Sequence, residues 1–136
     1  MALDVNCGDT FLLDFTGAPN EHLFVVITRV IEKLNNFVIV GIESAENTHS
    51  ENLVLLSPGE HPFLTKLSSV SYRFAAIMTI EELDSRIKQG TAKKREPMPP
   101  EIVARIVKGM KQTRKAPRYV QEYFNDITWP LDSPCT

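Results

Sequence analysis

The sequence predicts an α+β protein: a small, mostly antiparallel β-barrel followed by C-terminal helices. Three observations carry this. The first 78 residues hold five short runs rich in β-branched and aromatic residues, with turn signals between them. From residue 79 the apolar residues change to helical spacing. The order is strands first and helices after, not alternation of the two. A length of 136 residues suits one domain. Its expected parts are the barrel over 1–78, a helical segment over 79–128 and an irregular tail over 129–136.

The strands come first. "GDTFLLDF" (8–15) alternates loosely after a Gly-Asp turn. "HLFVVITRVI" (22–31) and "NNFVIVGIES" (35–44) are β-branched and nearly all apolar, the second after an Asn-Asn turn. "NLVLL" (52–56) is short and leads into the turn-rich "SPGEHPF" (57–63). "SSVSYRFAAIM" (68–78) closes the barrel. On a regular strand Ser69, Ser71 and Arg73 share one face, with Val70, Tyr72 and Phe74 on the other.

The helices follow. Thr79, with Glu82 three residues on, forms a capping box, and Gly90 is placed to end that helix. "TAKKREPMP" (91–99) reads as a polar linker. Pro100 opens the next helix. There Ile102, Val103, Ile106, Val107 and Met110 form a stripe, leaving Arg105, Lys108 and Lys111 on the remaining surface. Val120, Tyr123, Phe124 and Ile127 repeat at helical spacing in a third helix. The tail "TWPLDSPCT" contains two prolines and reads as irregular.

The net charge of −2 hides an asymmetry. Residues 1–85 carry 4 basic and 12 acidic side chains, and residues 86–118 carry 11 basic and 2 acidic. The basic block is either a solvated helical face offsetting an acidic body or a surface for an anionic partner. No apolar run approaches the ~20 residues of a membrane span. The start "MALDVNCGDTF" lacks the basic and apolar regions of a secretory signal. A cytoplasmic protein without membrane contact is the expectation. Cys7 and Cys135 lie near opposite ends with no CxxC neighbour, so unpaired thiols are expected.

No Gly-rich phosphate loop, HExxH, GxSxG or paired Cys/His at metal spacing occurs, and no cofactor or metal is predicted. His49 lies in the polar "AENTHSEN". His61 precedes Pro62, which pushes its backbone to extended geometry. It either lines a groove or packs as a turn residue, the commoner role. His22 follows the loop "TGAPNE" and opens an apolar strand, a place where functional groups collect, although an exposed loop histidine is an equal reading. Arg73 is suited to hold phosphate bidentately, or to pair with one of the N-terminal carboxylates.

"CGDTFLLDF", "HLFVVIT", "FVIVGIES" and later "LSSVSYRFAAI" together resemble the MazF/PemK (Kid) toxins over about residues 8–80. The resemblance implies a Src-homology-3-like barrel, usually homodimeric, and a cognate antitoxin protein. It also implies metal-independent cleavage of single-stranded RNA, by attack of the ribose 2′-hydroxyl on the neighbouring phosphate. Such chemistry needs a base, an acid and a positive group. At the family's Arg position this chain reads "NEHLF", so His22 stands nearest, and after the third strand it has Ser44 with Glu43 beside it. The implied catalytic set is His22 as acid or base, Ser44 as a donor to phosphate, and Arg73 as the replacement charge. Glu43, His61, Lys66, Ser69 and Ser71 are the implied RNA-binding residues. The missing Arg and the acidic first half favour an alternative, a non-catalytic barrel that binds a protein partner or nucleic acid.

Overall fold

A computed structural model describes residues 3–14, 21–46, 51–128 and 134–135. Among these residues the chain is α+β, with a curled six-stranded antiparallel sheet that makes half a barrel, and three helices. The strands are β1 (Thr10–Leu13), β2 (His22–Val26), β3 (Asn36–Ser44), β4 (Leu55–Leu56), β5 (Ser68–Thr79) and β6 (Ala92–Arg95). The helices are α1 (Ile80–Gln89), α2 (Pro100–Gln112) and α3 (Arg118–Thr128). The sheet order is β4-β5-β3-β2-β1-β6. The predicted loop ahead of His22, the His49 segment and most of the predicted irregular tail lie outside the described residues.

Both faces of the sheet are covered. Val25, Val40, Ile42, Val70 and Tyr72 pack against Ile102, Ile106 and Met110 of α2 and Val120 and Phe124 of α3. On the opposite face Phe11, Leu13, Phe24, Phe37 and Ile39 pack with Leu83 of α1. The helices are thus divided between two faces, α2 and α3 on one and α1 on the other. This explains why "LFVV" and "FVIV" are continuously apolar: a strand buried on both faces has no polar side to show.

The helix ends follow local chemistry. Thr79 Oγ1 accepts a hydrogen bond from the Glu82 amide at 3.1 Å, and Gly90 ends α1 in the left-handed region at φ 82°. Pro100 stands in the first turn of α2, where its missing N–H costs no helical bond.

Three expectations are corrected. The first is the linker over 91–99. Ala92–Arg95 pairs with β1 as strand β6, with Thr10 opposite Arg95 and Leu13 opposite Ala92. "AKKR" carries little strand propensity. What recruits it is the otherwise unpaired edge of β1, with Ala92 buried in the α1-side core. Lys93 and Lys94 face Glu21 and Asp9, each at 3.8 Å. Lysines on an edge strand also discourage pairing with a further chain.

The second concerns the face of Phe74. The β3–β5 register shifts between Ile39 and Gly41, which pair with Ala76 and Ser71. Between those pairs one residue of β3, Val40, stands against four of β5, Tyr72 to Ala75, and strict alternation is lost there. Val70, Tyr72 and Ala75 face α2 and α3, while Phe74 packs on the opposite side with the α1 core.

The third concerns the thiols. Cys7 and Cys135 are joined in a disulfide, with Cα atoms 5.5 Å apart across 128 residues of sequence. Beside the disulfide, Arg29 donates its amide to the Pro134 carbonyl at 2.8 Å, and Gly8 donates to the Val26 carbonyl at 2.7 Å. Residues 7–8 and 134–135 are thereby held where β2 ends.

The 57–67 segment reaches towards residue 96 and helps close the half-barrel. His61 is fully buried there. Its Nδ1 accepts from the Phe63 amide at 3.0 Å, so Nε2 carries the proton and donates to the Glu96 carbonyl at 2.6 Å. Thr10 Oγ1 donates to the same carbonyl. His61 therefore takes the turn-residue role rather than the groove role.

Candidate active-site cleft

A cleft of about 350 Å³ opens where β2 begins and β3 ends. The antiparallel register builds it. Leu23 pairs with Ile42, so His22 and Glu43 follow side by side at the strand ends. Glu43 and Ser44 pair with Ser69 and Ser68 of β5. The turn ahead of β5 adds Phe63, Leu64, Thr65 and Lys66 as the facing wall. His22, Glu43, Ser44 and Lys66 thus meet around one space, although Lys66 lies 44 residues from His22 in the chain.

The groups have different freedom. His22 is half-buried, its ring 6.1 Å from that of Phe74 and tilted 33° to it. Ser44 Oγ accepts from the Glu46 amide at 3.3 Å, which leaves its hydroxyl proton free to donate. Lys66 is exposed. Glu43 is only 6% exposed, and both its oxygens are occupied: Oε1 by Arg73 Nη2 at 3.0 Å, and Oε2 by the Ser71 hydroxyl. A buried carboxylate is tolerated when it is paired in this way.

Arg73 does not line the cleft. It stands behind Glu43, with its guanidinium 4.4 Å over the ring of Phe74. Phe74 therefore lies against both Arg73 and His22, and the charge of Arg73 is met by Glu43. This is the ion-pair reading of Arg73, with Glu43 as the carboxylate. Its Nε is buried without a hydrogen-bond partner among the described residues.

Ser69, Ser71 and His61 support the walls and present no surface to a ligand. Ser69 is fully buried, with Oγ accepting from the Asn52 amide at 3.2 Å. Ser71 is held on Glu43. His61 is enclosed in its turn. Phe63, Thr65 and Ser68 were not anticipated as cleft residues. Only their nearness to Lys66 in sequence hinted at it, because one anchor of the turn is the bond from His61 to the Glu96 carbonyl, 35 residues away in the chain.

The basic block is spent in part on the acidic body. Besides the Lys93 and Lys94 contacts, Arg105 pairs with Glu60 at 2.9 Å and donates to the Leu55 carbonyl. Among the described residues no three His, Cys, Asp or Glu side chains gather as a metal site, and no helix is long and apolar enough to cross a membrane. No protein-family model matches the chain, and no curated protein matches it.

Proposed function

We propose that this protein is a MazF/PemK-like, toxin-type endoribonuclease that takes single-stranded RNA into the His22 cleft. The observation that supports the reading is the convergence of an imidazole, a hydroxyl and an ammonium, from His22, Ser44 and Lys66, on one opening. His22 removes the proton of the ribose 2′-hydroxyl, whose oxygen attacks phosphorus. The bond from 2′-oxygen to phosphorus forms, the bond to the 5′-oxygen breaks, and the 5′-oxygen takes up a proton at the solvent-facing mouth. Lys66 meets the charge that gathers on the phosphoryl oxygens, and Ser44 donates to one of them. Arg73 serves one step removed, keeping Glu43 satisfied beneath the cleft. The Src-homology-3-like barrel, a homodimer, cytoplasmic location and a cognate antitoxin protein belong to the same proposal.

The test is cleavage of a single-stranded RNA by the purified wild type and by His22→Ala and Lys66→Ala, alongside growth arrest on expression. Loss of a general acid–base costs ~10²–10⁴-fold in rate. Wild-type cleavage that His22→Ala leaves unchanged removes the catalytic role. A second reading, a non-catalytic module that binds a protein partner or nucleic acid, is favoured by the pairing of Arg73 with Glu43. With Arg73 spent on Glu43, Lys66 is the one Lys or Arg among the described residues that line the cleft. This second reading gains if the wild type neither cleaves RNA nor arrests growth.

A further inference from the structure

We propose that the cavity between α2 and the joined chain ends binds a small amphipathic anion, an apolar body carrying a carboxylate. The cavity measures about 640 Å³, within the ~300–1,000 Å³ of ordinary ligand sites. It is separate from the His22 cleft. Gly8, in its wall, is hydrogen-bonded to Val26 at the end of β2, whereas His22 begins that strand.

The lining decides the ligand class. Met98, Val103, Ala104 and Val107 supply apolar walls, and the Cys7–Cys135 disulfide closes one side. These surfaces hold a hydrocarbon or ring system and offer little to a sugar or a bare phosphate. Lys108 and Lys111 border the cavity three residues apart on α2, where side chains share a face. Lys108 is exposed and makes no ion pair among the described residues, whereas Arg105 on the same helix is taken by Glu60. An unpaired ammonium beside an apolar hollow selects a ligand whose charge sits at one end. The Lys108 stem packs along the hydrocarbon while its head meets the carboxylate. A neutral apolar molecule would gain only the first contact.

The probe is a fluorescent polyene fatty acid, titrated into the intact oxidised protein, with its methyl ester as the neutral control. Saturable one-to-one binding of the acid is expected. Ala104→Trp, at an exposed helix position where folding is readily confirmed by circular dichroism, fills the cavity and abolishes binding. Lys108→Glu and the methyl ester each weaken binding about tenfold, one charge contact's worth, and Lys108→Arg retains it. His22→Ala leaves it unchanged, which separates this site from the cleft. Absence of saturable binding overturns the proposal. So does binding that Ala104→Trp leaves intact, or equal affinity for acid and ester.

Discussion

Replacing Gly109 by alanine should destabilise the protein, against the ordinary effect of that change in a helix. At an unobstructed interior position alanine is favoured over glycine by about 1 kcal/mol. Here a Cβ at residue 109 would lie 2.2 Å from Tyr72 Oη, 2.6 Å from Val54 Cγ2 and 3.0 Å from Tyr72 Cζ. Tyr72 cannot swing aside freely. It is fully buried, and its hydroxyl donates to the Ile106 carbonyl at 2.7 Å. Burial pushes its phenol well above the ordinary value, with the charge of Glu51 adding to the shift. Overpacking of this kind costs about 1–3 kcal/mol, and losing the Tyr72 hydrogen bond adds about 1 kcal/mol. Set against the propensity gain, a net loss of about 1–3 kcal/mol results. Urea unfolding measures it as a lower midpoint at unchanged slope. Tyr72→Phe supplies the control. Alone it costs about 1 kcal/mol, but in the Gly109→Ala background it removes the nearest clashing atom and should cost less or restore stability. A Gly109→Ala protein more stable than wild type would refute the packing argument. So would a Tyr72→Phe cost that is the same in both backgrounds.

Three further outcomes test other parts of the structure. Arg73→Leu leaves the Glu43 carboxylate buried without its cation and should cost about 2 kcal/mol, less than the cost of fully burying a lone charge because Arg73 is itself 32% exposed. Adding Glu43→Gln should recover part of that loss in chemical denaturation, and an additive double variant would contradict the pairing. Reducing the disulfide, or Cys135→Ser, opens a loop closed across 128 residues and should lower stability by up to about 5 kcal/mol, read as a fall in thermal midpoint with reductant. Glu60 is held below its ordinary carboxylate range by the Ser57 amide and then by Arg105. A depressed folded-state value contributes stability above the unfolded-state pKa and loses it as pH falls through the folded one. Glu60→Gln should therefore be less stable than wild type at neutral pH, and the gap should close in acid. A gap that persists there would count against the linkage.

The helical half was legible because its signals are local. Thr79, Gly90 and Pro100 act within a few residues of themselves, and the 102–110 stripe needs only helical spacing to declare a buried face. The apolar runs of β2 and β3 were legible as strands for the same reason. β6 was not, since "AKKR" becomes a strand only because β1 offers an edge. Within the cleft, His22 was singled out by its place at the start of an apolar strand, whereas Ser44 was named only through the family resemblance. The pairing of Arg73 with Glu43 had been left open between two roles, because a lone Arg carries no local sign of which carboxylate will meet it.

The sequence by itself determined where the three helices and the apolar strands fall, which side of α2 and α3 is buried, and that most of the strands precede the helices. Those properties depend on neighbours within a turn or two. Only the tertiary structure decided that the two cysteines meet and that the β5 register shift turns Phe74 towards Arg73 and His22. It alone brought Lys66 to the cleft and left Lys108 without an ion pair among the described residues, beside an apolar cavity. Each of these depends on residues far apart in the chain, whose meeting is fixed by packing across the sheet rather than by any pattern along it.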